Sequence, residues 1–150
     1  MKLDPKNGID NLIFGMKTTD VIALYGEPDK EYSDEENNKI FLYNKEKLRL
    51  TFYEDENFKL GYLICSNENL VFLNLKVIHA NVTDFKNELI SKGIVKWENE
   101  DFDLTENHFN ESNWFTLQVE FGTIIRIEIG AVFNENDEMQ FKFKNNKSIK

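Results

Sequence analysis

Apolar residues recur along this chain in two rhythms, one suited to helices and one to strands. Val21, Leu24 and Tyr25 fall at i, i+3 and i+4 behind Thr18-Thr19-Asp20. That spacing predicts a short helix capped by Thr18, with Asp20 in the first turn where the helix dipole favours negative charge. Gly26 ends it and Pro28 blocks its resumption. A polar, acidic loop is expected from Asp29 to Asn38, then three strands: Ile40 to Tyr43, Leu48 to Glu54 and Leu60 to Ser66. In the middle one, Leu48, Leu50 and Phe52 share one face while Arg49, Thr51 and Tyr53 share the other.

The same order then recurs. Asn81-Val82-Thr83-Asp84 offers a cap, Phe85, Leu89 and Ile90 make an apolar side, and Gly93 is the expected stop. A polar stretch from Glu98 to Ser112 leads into two long strands. Phe115, Leu117, Val119 and Phe121 alternate with Thr116, Gln118 and Glu120. After the turn at Gly122-Thr123, Ile125, Ile127 and Ile129 alternate with Arg126 and Glu128. Met139, Phe141 and Phe143 suggest a last edge strand, guarded against pairing by Lys142 and Lys144. The expected fold is α+β: two diverged helix-plus-antiparallel-hairpin repeats, about 8–68 and 69–144, in one domain spanning 1–150. They would form a single antiparallel sheet with helices packed on one face, leaving the other to solvent or a partner.

Composition adds limits. Hydrophobic residues make up 41% of the chain, 13 of them phenylalanine, which is ample for a core. Two prolines and seven glycines leave no linker. The net charge of −9 and the lack of a basic stripe disfavour nucleic acid, and no run approaches the ~20 apolar residues of a membrane helix. Cys65 lies alone in an apolar run, which reads as a buried thiol and excludes a disulfide or zinc motif. Met1 to Lys6 lacks the apolar stretch of a signal peptide, so a cytoplasmic protein is expected.

Little in the chain suggests catalysis. His79 and His108 have no carboxylate at catalytic or metal-ligand spacing, so surface or capping roles are expected. The acidic stretches Asp34 to Glu36, Glu98 to Asp103 and Glu135 to Glu138 do not match a calcium loop. Gly26 to Asp29 is explained locally as a helix stop and turn. No phosphate loop, dinucleotide fingerprint or nucleophile elbow occurs. No enzyme, metal or cofactor is expected.

The segments Gly8-Ile9, Ile13-Phe14-Gly15-Met16 and Asp20 to Asp29 resemble a bacterial pattern. It recurs in the repeats of β-lactamase-inhibitor-protein-like domains and of SmpA/OmlA-type outer-membrane assembly lipoproteins. Leu60 to Asn67 with Leu70 to Phe72 is similar to small bacterial proteins, some of them thought to be toxin immunity proteins. Those lipoproteins carry a lipidated cysteine and the secreted inhibitors carry disulfides, so the resemblance implies a cytoplasmic relative and transfers no binding residue.

The function expected is protein binding, in its specific form an immunity protein that occludes a basic toxin with an acidic surface. The candidate contacts are Arg49, Tyr53, Gln118, Glu120, Arg126 and Glu128 on the uncovered face and Tyr32, Asp34 and Glu35 in the first acidic loop. Trp97 and Trp114 join them, each readable as core or as interface. The alternative is a small-molecule or peptide sensor with a pocket between sheet and helices. A monomer is favoured over a dimer.

Overall fold

In the computed structural model, described for residues 1–144, strand outweighs helix by 43% to 14%. The chain opens with a three-stranded ribbon, β1 (Leu3–Asp4), β2 (Gly8–Ile9) and β3 (Leu12–Ile13), followed by α1 (Thr18–Tyr25). Then come β4 (Lys30–Ser33), β5 (Lys39–Tyr43), β6 (Leu48–Tyr53), a short turn of 3-10 helix at Glu54–Glu56, and β7 (Lys59–Cys65). A small hairpin, β8 (Val71–Phe72) and β9 (Leu75–Lys76), leads to α2 (Val82–Ile90). The rest is β10 (Glu98–Phe102), β11 (Thr105–Asn110), β12 (Phe115–Glu120) and β13 (Thr123–Gly130).

Eight of these strands form one antiparallel sheet in the order β10-β11-β12-β13-β7-β6-β5-β4. Its central pair sets Ile127 opposite Cys65 and Ile129 opposite Leu63. On one side Phe41, Leu50, Leu63, Leu117, Ile127 and Ile129 are sealed from water, Phe41 and Phe52 meeting edge to face at 4.9 Å. The Cys65 thiol is buried here too, and burial pushes its pKa up.

This architecture corrects the expected pair of helix-plus-hairpin repeats with helices packed over one face. Two physical reasons account for the difference. First, three polar stretches are strands: Lys30–Ser33, Glu98–Phe102 and Thr105–Asn110. The two outermost bury nothing, so they carry no apolar alternation, and Lys30 and their carboxylates suit exposed edges. Second, the helices supply little of the cover. Among helical residues only Val21 of α1 and Val82, Phe85 and Leu89 of α2 are buried. The core is completed by Leu3, Ile9, Leu12, Phe14 and Met16 from the N-terminal ribbon and its exit, and by Leu70, Phe72, Val77 and Ile78 around β8 and β9.

Details of the helix ends also differ. At α1 the Asp20 carboxylate accepts the Lys17 amide at 2.9 Å, so the cap lies at Lys17, one residue ahead of the expected Thr18. At α2 Asn81 does cap, accepting the Asp84 amide at 3.0 Å, but the helix ends at Ile90 before Gly93. The expected edge strand at Met139 to Phe143 is absent. Met139 makes one bridge to Phe133, and the chain then runs to the N-terminal ribbon, where the Phe143 amide donates to the Phe14 carbonyl at 3.1 Å.

Two bulges break the alternation of the central strands. Thr51 faces Tyr62 but Phe52 faces Leu60, leaving Gly61 as an extra residue. Gln118 faces Arg126 but Val119 faces Ile124, leaving Ile125 extra. Leu60 and Leu63 therefore both point into the core, as do Ile124 and Ile127, and two residues between each pair turn away from it. Ile125, expected inward with Ile127 and Ile129, is thus displaced to the other side.

Phe115 ties the sheet to its cover, 5.4 Å from Phe72 and 5.8 Å from Trp97 ring to ring. Phe115→Ala is expected to cost about 3–5 kcal/mol, read as a lowered midpoint in urea unfolding; a loss under ~1 kcal/mol would contradict this packing.

Candidate binding face of the sheet

The face turned away from the core is built in cross-strand rows. One row runs Leu42, Arg49, Ile64, Glu128, Thr116, Phe109. Beside it lies Tyr32, Ile40, Thr51, Tyr62, Gly130. At its centre Glu128 accepts the Tyr62 hydroxyl at one carboxylate oxygen and the Gln118 amide, at 2.9 Å, at the other. Burial raises the Glu128 pKa, and the Arg49 guanidinium partly opposes that rise.

Each bulge sits beside a pocket, and the two pockets lie at opposite ends of the strands. At the Gly61 bulge a cavity of ≈ 350 Å3 is walled by Tyr53, Tyr62, Trp114 and Phe133. Five carboxylates surround it, Glu36, Glu54, Asp55, Glu56 and Asp137, and among the described residues no lysine or arginine does. The Tyr53 ring lies across Gly61, where an added Cβ would come within 2.6 Å of it. Burial, with the charges of Glu36, Asp34 and Asp55, raises the Tyr53 pKa. At the Ile125 bulge a second cavity, ≈ 480 Å3, is lined by Lys47, Arg49, Ile64, Ser66, Ile125 and Arg126.

The sequence-derived candidates divide accordingly. Arg49, Gln118, Arg126 and Glu128 stand together on this face, with Tyr53 at its acidic end. Trp114 belongs here too, its ring edge-on to Phe109 at 5.4 Å. Trp97 does not: it packs on Phe115 within the core cluster, with the Lys86 ammonium 4.9 Å from its ring. Tyr32 lies on the edge strand under Lys30, and Glu120 is exposed at the far end of β12. Asp34 holds its own turn, accepting the Glu36 amide at 2.9 Å and the Asn38 amide at 3.0 Å. Burial pushes its carboxyl up, but these hydrogen bonds outweigh that and leave its pKa lowered. Glu35 is exposed in that turn, and its neighbour Glu36 is the residue that reaches the pocket.

Sequence reasoning missed Tyr62, Lys47, Ser66 and the Glu54–Glu56 turn; a glycine inside a strand run, Gly61, was the available signal for a bulge. It also missed a cluster on the core side built on one buried residue, His108. His108 lies on β11, its Nε2 2.7 Å from Glu106 and its Nδ1 2.5 Å from Lys86. A spacing of two puts Glu106 and His108 on the same strand face, a carboxylate–histidine pair hidden by reading the stretch as loop. His108 is only 5% exposed, while the Glu106 side chain is half exposed. Among the described residues no group of three or more His, Cys, Asp or Glu is arranged to hold a metal ion. No helix among them is long and apolar enough to cross a membrane.

Comparisons with known proteins give partial structural similarity only. No family model and no curated protein matches the chain. An extracellular protein containing an SCP domain from Bacillus anthracis is similar in structure, with 12% identity and a TM-score of 0.49. The alignment covers 77% of this chain and 43% of that one. A cysteine-rich secretory protein from Staphylococcus aureus aligns over 77% and 42%, with 12% identity and a TM-score of 0.47. A DUF4309 family protein from Bacillus subtilis aligns over 77% and 78%, with 12% identity and a TM-score of 0.44. The chain thus spans less than half the length of the first two.

The Glu128 site yields a titration prediction. Its folded pKa is the higher one, so its contribution to stability is fully present below the ordinary glutamate value and is lost as pH rises through the raised one. Arg49→Gln should move the Glu128 carboxyl midpoint further up, measured by carbonyl NMR. A midpoint that falls on this substitution would contradict the assigned balance of burial and charge.

Proposed function

We propose that this chain is a protein-binding module whose sheet face turned away from the core receives a basic segment of its partner. The observation that carries this reading is the pocket at the Gly61 bulge: aromatic walls, five carboxylates and, among the described residues, no cation lining it. Such a site suits a lysine or arginine side chain, whose charge is drawn to aromatic faces and whose stem covers apolar surface. The rim carboxylates would steer a basic partner into register. An immunity protein, occluding the basic active site of a toxin, is the specific form of this reading that we carry forward. A sensor with its ligand between sheet and helices draws less support, since Phe14, Phe41, Phe52 and Phe115 fill that interior.

The test is anisotropy of a labelled hexa-arginine peptide at low ionic strength. Replacing Glu54, Asp55 and Glu56 with their amides should weaken binding roughly tenfold. The same treatment of Glu98, Glu100 and Asp101, exposed on β10, should leave it nearly unchanged. Equal losses from both triplets would reduce the interaction to bulk charge and sink the reading.

A further inference from the structure

The chain contains only two arginines, and the fold brings both to one cavity. Arg49 lies on β6 and Arg126 on β13, with β7 between them, so their backbones are about 10 Å apart. Lys47, Ser66 and Arg126 fall in one cross-strand row, the Ser66 amide donating to the Lys47 carbonyl at 3.0 Å and Ile127 standing opposite Cys65. Arg49 and Ile64 form the next row. The cavity floor is therefore Ile64 and Ser66, with a cation on each side.

In a protein of net charge −9, two guanidiniums would be expected to find carboxylates. Among the described residues neither forms an ion pair. The nearest carboxylate along the rows, Glu128, already engages Tyr62 with one oxygen and Gln118 with the other. Lys47 has only a long contact, 3.9 Å, to the exposed Glu68. The Ile125 bulge is what turns Arg126 outward: plain alternation from Ile124 would send it into the core. A rim of unpaired, forked donors above a hydroxyl matches a planar or tetrahedral oxyanion.

We propose that Lys47, Arg49, Ser66 and Arg126 form an anion site for a carboxylate or phosphate group. The site is independent of the acidic pocket at the other end of the strands. Arg49 and Arg126 grip the oxyanion from both sides, Ser66 donates from below, and Lys47 adds charge at the rim.

The experiment is a titration of the full chain with inorganic phosphate at constant ionic strength, followed by NMR. Saturable shifts at the Arg49 and Arg126 Nε–H and the Ser66 amide, with Kd in roughly the millimolar range, are expected. Arg126→Gln should weaken binding at least about tenfold, as should Arg49→Gln, while Lys92→Gln on the far surface should not. A hexaglutamate peptide forms the second arm: a response to the peptide alone assigns the site to a partner's carboxylates, and a response to phosphate alone to a free oxyanion. Either response, lost in the arginine variants, supports the site. Equal shifts with chloride, undiminished binding by the arginine variants, or silence at those three groups with both probes would overturn it.

Discussion

A strand has two faces, and burying one of them fixes what the other can display. In this protein the rule governs the six inner strands of the sheet at once. Leu50, Leu63, Leu117 and Ile127 must meet the core, so Arg49, Ile64, Thr116 and Glu128 must stand opposite. Strict alternation would produce a uniform row structure. The two bulges make it local instead, at Gly61 and at Ile125, and each sets a cavity beside itself. One collects aromatic rings and carboxylates, the other both arginines and a lysine. A single face thereby carries opposite charges at its two ends, joined by the Tyr62–Glu128–Gln118 network.

That arrangement makes chemical sense of an acidic protein whose 27 carboxylates outnumber its 18 cations. Charge of one sign spread evenly keeps a protein soluble, but charge segregated along a face orients an approaching partner. The aromatic wall at the acidic end adds contact area that side-chain charge alone cannot supply. The buried His108, between Glu106 and Lys86, belongs to a different part of the molecule and binds the end of the sheet to α2.

The central strands were legible because each buries one face: Leu48, Leu50 and Phe52 are buried as the alternation requires and Arg49 and Tyr53 are partly exposed, although Thr51 between them is buried as well. The edge strands were not. Lys30–Ser33 and Glu98–Phe102 are held by hydrogen bonds to one neighbour and bury no residue, so their sequences read as solvated loop. The helices were located, yet their weight was overestimated. Non-helical segments such as Leu12 to Met16 and Leu70 to Ile78 do much of the covering, and irregular backbone has no period to recognise. Most candidate residues on the face were found by alternation. The pockets were missed because a bulge depends on pairing across strands, which one strand's sequence cannot reveal.

The two tryptophans offer the most direct test of the face itself, since Trp114 stands on it and Trp97 lies against the core on the other side. Their indole N–H signals should be followed by NMR as the hexa-arginine peptide is added to the full chain. The account predicts that the Trp114 signal moves and saturates with the amides of Tyr62 and Gly130, while the Trp97 signal stays in place. Movement of Trp97 with Trp114 unchanged would contradict it.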